Sequence, residues 1–247
     1  MDANLGFLAR QLLLTELHGD SYDVPGGIEV ATPRGNWLGL WDATAAGDIE
    51  KLLMAAQERA KAGGTTLTGA VLLSPHGAAA AWNDIADALY VYGLPEASGP
   101  ESVMVLANPP HPKPRGLRFI PLEESPGAFA MADGAELTVT ELCGPAWPDP
   151  QLTCEKLAVE VAWHDTQLVG MVGTYGTALA ERIALLWIEP QWREREVAQA
   201  LVEHVSHAAQ SAGRVLVTAW AKKQGLLRFA LHEAGFEEQV TARFFSS

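Results

Sequence analysis

Apolar and polar positions alternate over Leu157–Trp163 and again over Leu168–Gly173, with polar His164 to Gln167 between them. A period near two with a polar break predicts two strands joined by a turn. A third apolar run, Ile183 to Ile188, passes through Glu189 and Pro190 into a turn. After it the period lengthens: Val197, Leu201, Val202, Val205, Ala208, Ala209 and Ala212 fall on one helical stripe, and Gly213 stands where a C-terminal cap is expected. Arg214–Trp220 then reads as a buried strand, Leu226–Glu233 as a second helix, and Gly235-Phe236 as the turn into a last strand.

The first half carries a comparable pattern. Strands are predicted at Gly27–Thr32, Gly69–Ser74 and Ser102–Ala107, with helices near Ala46–Ala62 and across Ala79–Tyr90. In each half a helix ends in a glycine, Gly93 or Gly235, ahead of the final strand. Leu5–Leu14 is interrupted by Arg10 and Gln11, which makes it an amphipathic helix rather than a signal peptide or membrane span. Four prolines within Asn108–Gly116 forbid regular structure and favour an extended connector, so the halves are read as residues 1–110 and 111–247. At 247 residues and 48% hydrophobic content, each half has enough apolar material for a core.

Charge and cysteine content narrow the function classes. A formal net charge of −13 disfavours nucleic acid, whose phosphates call for clustered Lys and Arg, and suits a cationic amine better. Cys143 and Cys154 are the only cysteines, too few for a disulfide framework or a Cys-rich zinc site. A soluble cytoplasmic protein, without metal and without membrane partners, is the expectation. His204 and His207 have the i, i+3 spacing of a metal pair but no carboxylate or cysteine joined to them in the sequence. His18, His76 and His111 lie scattered in polar surroundings.

The junction from Ile183 through Pro190 to Ala198 is the chemical centre of this reading. A strand that turns into a helix exposes unpaired backbone N–H groups and the positive end of the helix dipole, and Arg193 and Arg195 add cationic side chains. The layout resembles the acetyl-CoA-binding motif of the GCN5-related N-acetyltransferase (GNAT) superfamily, whose loop reads Arg/Gln-x-x-Gly-x-Gly/Ala. Arg193 and Ala198 match the first and last positions, whereas Glu196 replaces the central glycine and Glu194 stands where a glycine often follows the arginine. A carboxylate there adds bulk and negative charge, while glutamates in a first helical turn also favour the helix on their own account. The resemblance implies a mixed α/β fold with a mostly antiparallel sheet flanked by helices. It also implies acetyl-CoA as cofactor, held by Trp187, Ile188, Arg193, Glu194, Arg195, Glu196, Val197, Ala198 and Gln224.

The superfamily resemblance further implies a backbone amide near Trp187 or Ile188 that polarises the thioester, a base for the amine, and often a tyrosine that protonates the thiolate. Aligned on Gly235-Phe236, the tyrosine position is Leu231, and the substitution Leu231→Tyr is expected to leave the fold intact. Glu160, Glu189 and His232 are the candidate catalytic groups; His164 and Glu181 are further candidate bases, and Tyr175 reads as a turn tyrosine or a wall of an acceptor pocket. Trp187, Trp192 and Trp220 would wall the cofactor cleft or fill it. Ala31–Trp41, with its Pro, Gly-Asn and tryptophans, reads first as a Pro-Gly turn between strands with Trp37 and Trp41 as core anchors, and it loosely resembles the start of two-domain bacterial acetyltransferases. The chain is thus expected to hold a degenerate GNAT-like domain in tandem with a better one. It would act as an N-acetyltransferase on a small-molecule amine or peptide, with room for a homodimer. The alternative is a non-catalytic GNAT-fold protein whose loop is impaired by Glu194 and Glu196 and which binds a partner or another small ligand.

Overall fold

The computed structural model describes residues 3–17, 19–75, 82–107, 116–124, 129–130, 136–137, 157–193, 196–221 and 226–247. It is a mixed α/β structure with mostly antiparallel strands flanked by helices, in two compact units. Unit 1 comprises residues 1–103 and 238–247, and unit 2 residues 104–237. The connector at 108–115 lies outside the described residues.

Unit 1 opens with helix α1 (Ala3–Leu17), whose apolar residues Leu12, Leu13 and Leu17 are buried. Strands β1 (Asp20–Val24), β2 (Gly27–Thr32) and β3 (Gly35–Leu40) follow as an antiparallel meander. The short helix α2 (Ala43–Ala46) and then α3 (Ile49–Ala62) lead to β4 (Leu67–Pro75), which lies parallel to β3. Helix α4 (Asn83–Val91) and strand β5 (Glu96–Leu106) complete the run. Trp37 is buried and Trp41 half-buried, and Asn36 is the second residue of β3. The core gathers Leu38, Leu40, Leu53, Leu72, Leu89 and, from the far end of the chain, Phe245.

That last residue belongs to strand β13 (Phe236–Ser246), whose Val240–Ser246 pair antiparallel with Gly69–Pro75 of β4. Arg243 fixes it further through a two-pronged ion pair with Glu96 at 3.0 and 2.7 Å. The final ten residues of the chain therefore serve unit 1.

In unit 2, β6 (Leu117–Pro121), β9 (Ala158–His164), β10 (Gln167–Gly176) and β11 (Ala180–Ile188) pair antiparallel in that order, and β12 (Leu216–Ala221) lies parallel beside β11. A small separate ribbon is formed by β7 (Phe129–Ala130) and β8 (Glu136–Leu137). Asp165, at φ 53°, turns the β9–β10 hairpin, a conformation that Asp tolerates better than most residues. Helices α5 (Val197–Ser211) and α6 (Leu226–Glu233) cover one face of the sheet, burying Val197, Leu201, Val205, Ala230 and Leu231 against Val172, Ile183 and Ile188. The approach is close: a Cβ on Gly170 would stand 2.8 Å from Leu201 and 3.0 Å from Ile188, so glycine is what lets α5 sit on β10. The opposite face holds Val159, Val161, Leu168 and Met171, with Trp163 and Trp187 packed on them. Among the described residues, no helix is long and apolar enough to cross a membrane.

Candidate functional site in unit 2

Strand β11 and β12 run together for only part of their length. Ala180, Glu181, Arg182 and Ile183 pair with Leu216, Val217, Thr218 and Ala219. Beyond this point β11 continues to Ile188 and β12 to Ala221 without pairing, so the two strands part. Ala184 marks the parting: Gly173 faces Leu185 and Thr174 faces Ile183 on β10, which leaves Ala184 as a bulge. A bulge turns the strand locally, and bulges recur beside functional sites for that reason.

The parted edge carries backbone donors. Glu189 N–H donates to the Val169 carbonyl on β10 at 3.0 Å. Alternation along an antiparallel pair then directs the N–H groups of Leu186 and Ile188 away from β10, onto the open edge. Of the two amides named from the sequence, Ile188 therefore faces the gap, whereas Trp187 bonds toward β10 and places its ring on the face of the sheet opposite α5 and α6.

At the top of this gap Pro190–Trp192 form a single 3-10 turn, Arg193 remains exposed with its Nε 3.5 Å from the Ile188 carbonyl, and α5 begins. Glu196 precedes the helix with φ 58° and ψ 10°, and its side chain does not cap it. A left-handed conformation is the one glycine adopts at no steric cost, which gives a physical reason for the glycine that the resemblance places here. The glutamate adopts this conformation all the same, and it is exposed. The first intrahelical bond is from Ala200 N–H to the Glu196 carbonyl at 3.0 Å, so the N–H groups of Val197, Ala198 and Gln199 have no helical acceptor. Val197 and Ala198 are both buried, and Ala198 borders the cavity beside the helix start. Glu194, Arg195 and Gln224 lie outside the described residues.

A cavity of about 390 Å³ opens beside this helix start, lined by Arg193, Glu196, Ala198 and Gln199 and, from α6, by Phe229, Ala230 and Glu233. Gln199 ties the two helices together, donating to Glu203 Oε1 at 2.9 Å and to the Glu233 carbonyl at 3.2 Å. The sequence reading missed the α6 wall. Its signal was present in Phe229, a large apolar residue off the buried stripe of an amphipathic helix.

The candidate catalytic groups do not converge. Glu160 lies on β9 with its carboxylate 3.4 Å from His204 Nε2 of α5, and Phe119 stacks on that imidazole at 4.3 Å. His232 is exposed on α6. Glu189 differs from both: it is only 2% exposed, directly follows β11, and its Oε1 has no hydrogen-bond partner. His164 leans against Trp192 at 4.7 Å, and Glu181 pairs with Arg214 at 3.3 Å, away from the gap. His207 is exposed, and no metal-ligating cluster occurs among the described residues.

One sequence expectation is corrected. Tyr175 is a buried strand residue whose hydroxyl accepts from Arg182 Nη1 at 2.5 Å, because β10 extends to Gly176. Burial raises the phenol's pKa and lowers that of the guanidinium, which also faces the rings of Trp220 at 4.9 Å and Tyr175 at 5.5 Å. Leu231 is 0% exposed within the core, so a tyrosine at that position would have to displace packed neighbours rather than enter a cleft.

Residues 140–245 match the family model for the acetyltransferase (GNAT) domain. The fold is similar to that of a GCN5-related N-acetyltransferase from Kribbella flavida, with a TM-score of 0.61 at 12% identity over 100% of this chain and 96% of that one. It is also similar to a protein of the GNAT family from Novosphingobium aromaticivorans, with a TM-score of 0.52 at 14% identity over 96% and 97% of the two chains. The chain matches no curated protein in sequence. Residues 140–245 are thus similar in sequence to a GNAT acetyltransferase domain, and the chain shares the fold of these structures.

Proposed function

We propose that unit 2 is an acyl-CoA-dependent N-acetyltransferase that takes acetyl-CoA and acylates a primary amine of a small molecule or peptide. The observation that carries this reading is the parting of β11 from β12 after the Ile183–Ala219 pair, directly below a helix start that no side chain caps. Bound acetyl-CoA supplies an activated acyl thioester. For their part, Leu186 and Ile188 offer N–H groups along the gap, and Arg193 with the first amides of α5 offers a positive seat for the diphosphate. Glu196 is exposed and lines the same cavity as Arg193.

Glu189 is the proton acceptor in this proposal. A buried carboxylate oxygen without a partner costs stability unless a ligand uses it, and an incoming ammonium is such a ligand. Glu160 is engaged with His204, and His232 is solvated, which leaves them less suited to the role. Unit 1 is the degenerate member of a tandem pair and has a structural role.

Calorimetric titration of the purified protein with acetyl-CoA tests the reading. Micromolar binding that weakens with salt is expected; no heat at millimolar cofactor would leave the non-catalytic alternative, in which Glu196 and the buried Leu231 mark a retired site.

A further inference from the structure

A second cavity, of about 550 Å³, is lined entirely by residues of unit 1. Strand register builds its floor. Across β1–β2, Asp20 stands opposite Ala31 and Tyr22 opposite Glu29; across β2–β3, Ala31 stands opposite Asn36, so all of these share one face of the sheet. The last turn of α3 adds Arg59, and Thr65 follows it. A connected polar chain runs through this lining. Glu29 is 0% exposed, and its Oε2 accepts from Arg59 Nε at 2.7 Å and lies 2.6 Å from Arg59 Nη2. Its Oε1 accepts from Asn36 Nδ2 at 2.7 Å, and Asn36 Oδ1 accepts from Thr65 Oγ1 at 3.0 Å. A carboxylate buried in this way is a weak source of stability, because an apolar residue would avoid the cost of desolvating it. What the chain does secure is the orientation of a guanidinium at the cavity. Glu29 takes the Nε and Nη2 side of Arg59, and the Nη1 side is left for a ligand. The Asp20 carboxylate is exposed and has no partner among the described residues. It lies diagonal to Glu29 across the strand pair, a spacing of about 7–8 Å between Cα atoms. A carboxylate and a guanidinium fork on one cavity suit a ligand that carries an ammonium and a carboxylate close together.

We propose that unit 1, besides its structural role, binds a free α-amino acid in this cavity, with the ligand's carboxylate on Arg59 and its ammonium on Asp20. Tyr22, 54% exposed and set between them on β1, offers an aromatic flank for the ligand's side chain. Every residue used belongs to unit 1, so the site stands whether or not unit 2 takes acetyl-CoA.

The test begins with thermal unfolding of the full chain in each of the standard L-amino acids at about 10 mM. At least one is expected to raise Tm by about 5–10 °C, as a Kd of about 100 μM would do. If none does, the proposal is overturned. Calorimetric titrations then compare that amino acid with its N-acetyl form, which lacks the ammonium, and its amide, which lacks the carboxylate. Two variants locate the site. Asp20→Asn changes an exposed residue and should not disturb folding. The double variant Glu29→Gln, Arg59→Met removes both charges at once, so that neither is left buried alone. Asp20→Asn is expected to weaken the amino acid about tenfold and to leave the N-acetyl form unchanged; the double variant should weaken the amino acid about tenfold and leave the amide unchanged. Derivatives that bind the wild type as well as the amino acid does, or a loss in Asp20→Asn that is equal for the N-acetyl form, would overturn the proposal. Binding that ignores both variants would place the amino acid elsewhere, at the amine seat of unit 2 for example, and overturn it as well.

Discussion

The same run of elements, strand, helix, parallel strand, occurs once in each unit, and the two copies treat the junction differently. In unit 1, β3 stays paired with β4 to its last residue, Leu40 opposite Leu72. In unit 2, β11 leaves β12 five residues before its end. The helices differ in the same sense. Helix α3 is capped by its own Asp48, whose Oδ1 accepts from Lys51 N–H at 3.2 Å and whose Oδ2 lies 2.9 Å from Lys51 Nζ. Helix α5 has no such cap and starts from a strained Glu196. A carboxylate in the chain already occupies the place an anion would take in unit 1, and no strand gap lies beneath it. One arrangement thus permits a fold to be stable without a ligand, and the other leaves donors for one.

The sharpest test of this contrast is charge reversal on each side. Arg193→Glu should weaken acetyl-CoA binding about 100-fold, because it removes one charge-assisted contact and adds a repulsion. Lys51→Glu in unit 1 should leave binding unchanged. Glu189→Gln should lower kcat by about 100-fold with little change in KM, as loss of a general base does; a rise in KM alone would reassign Glu189 to binding.

Stability effects come next. Leu231→Tyr is expected to cost about 1–3 kcal/mol in urea unfolding through overpacking, contrary to what the aligned tyrosine suggested. A neutral result would mean that α6 can rotate its face toward the gap. Glu196→Gly should stabilise by about 1 kcal/mol, a rise in Tm of about 2–4 °C, since glycine removes the left-handed strain. If Tm falls instead, the side chain of Glu196 must make a contact that outweighs the strain.

The smallest effect concerns pH. Hydrogen bonding to Lys51 holds the Asp48 carboxyl below its ordinary value. Its folded pKa is therefore depressed, so its stabilising contribution is complete above about 4 and fades as pH falls through the folded value. Asp48→Asn should remove that part of the acid dependence and leave acetyl-CoA binding as it was. Loss of binding in this variant would show that α3 takes part in the site.

The elements of unit 2 were largely legible because their periodicities are clean: the α6 boundaries at Leu226 and Glu233 and the stripe of α5 follow from apolar spacing alone. The conformation of Glu196 was half legible. The missing glycine could be seen, whereas the left-handed backbone that explains it is a property of the turn. What escaped was non-local. Nothing in the composition of Val240–Ser246 says that it pairs with Gly69–Pro75, about 170 positions away in the chain, and strand partners are set by tertiary contacts rather than by propensity. The parting of β11 from β12 was hidden for the same reason, since pairing depends on both strands and on the bulge at Ala184. Tyr175 was misread because a strand end has weak signals, and β10 runs three residues past the predicted Gly173.

Hydrogen–deuterium exchange with and without acetyl-CoA tests the difference between the two junctions most directly. The account predicts slowed exchange at Leu186, Ile188 and the first turn of α5, residues 196–200, with no change across β3 and the first turn of α3. Protection at residues 41–51, or none at either junction with saturating cofactor, would contradict it.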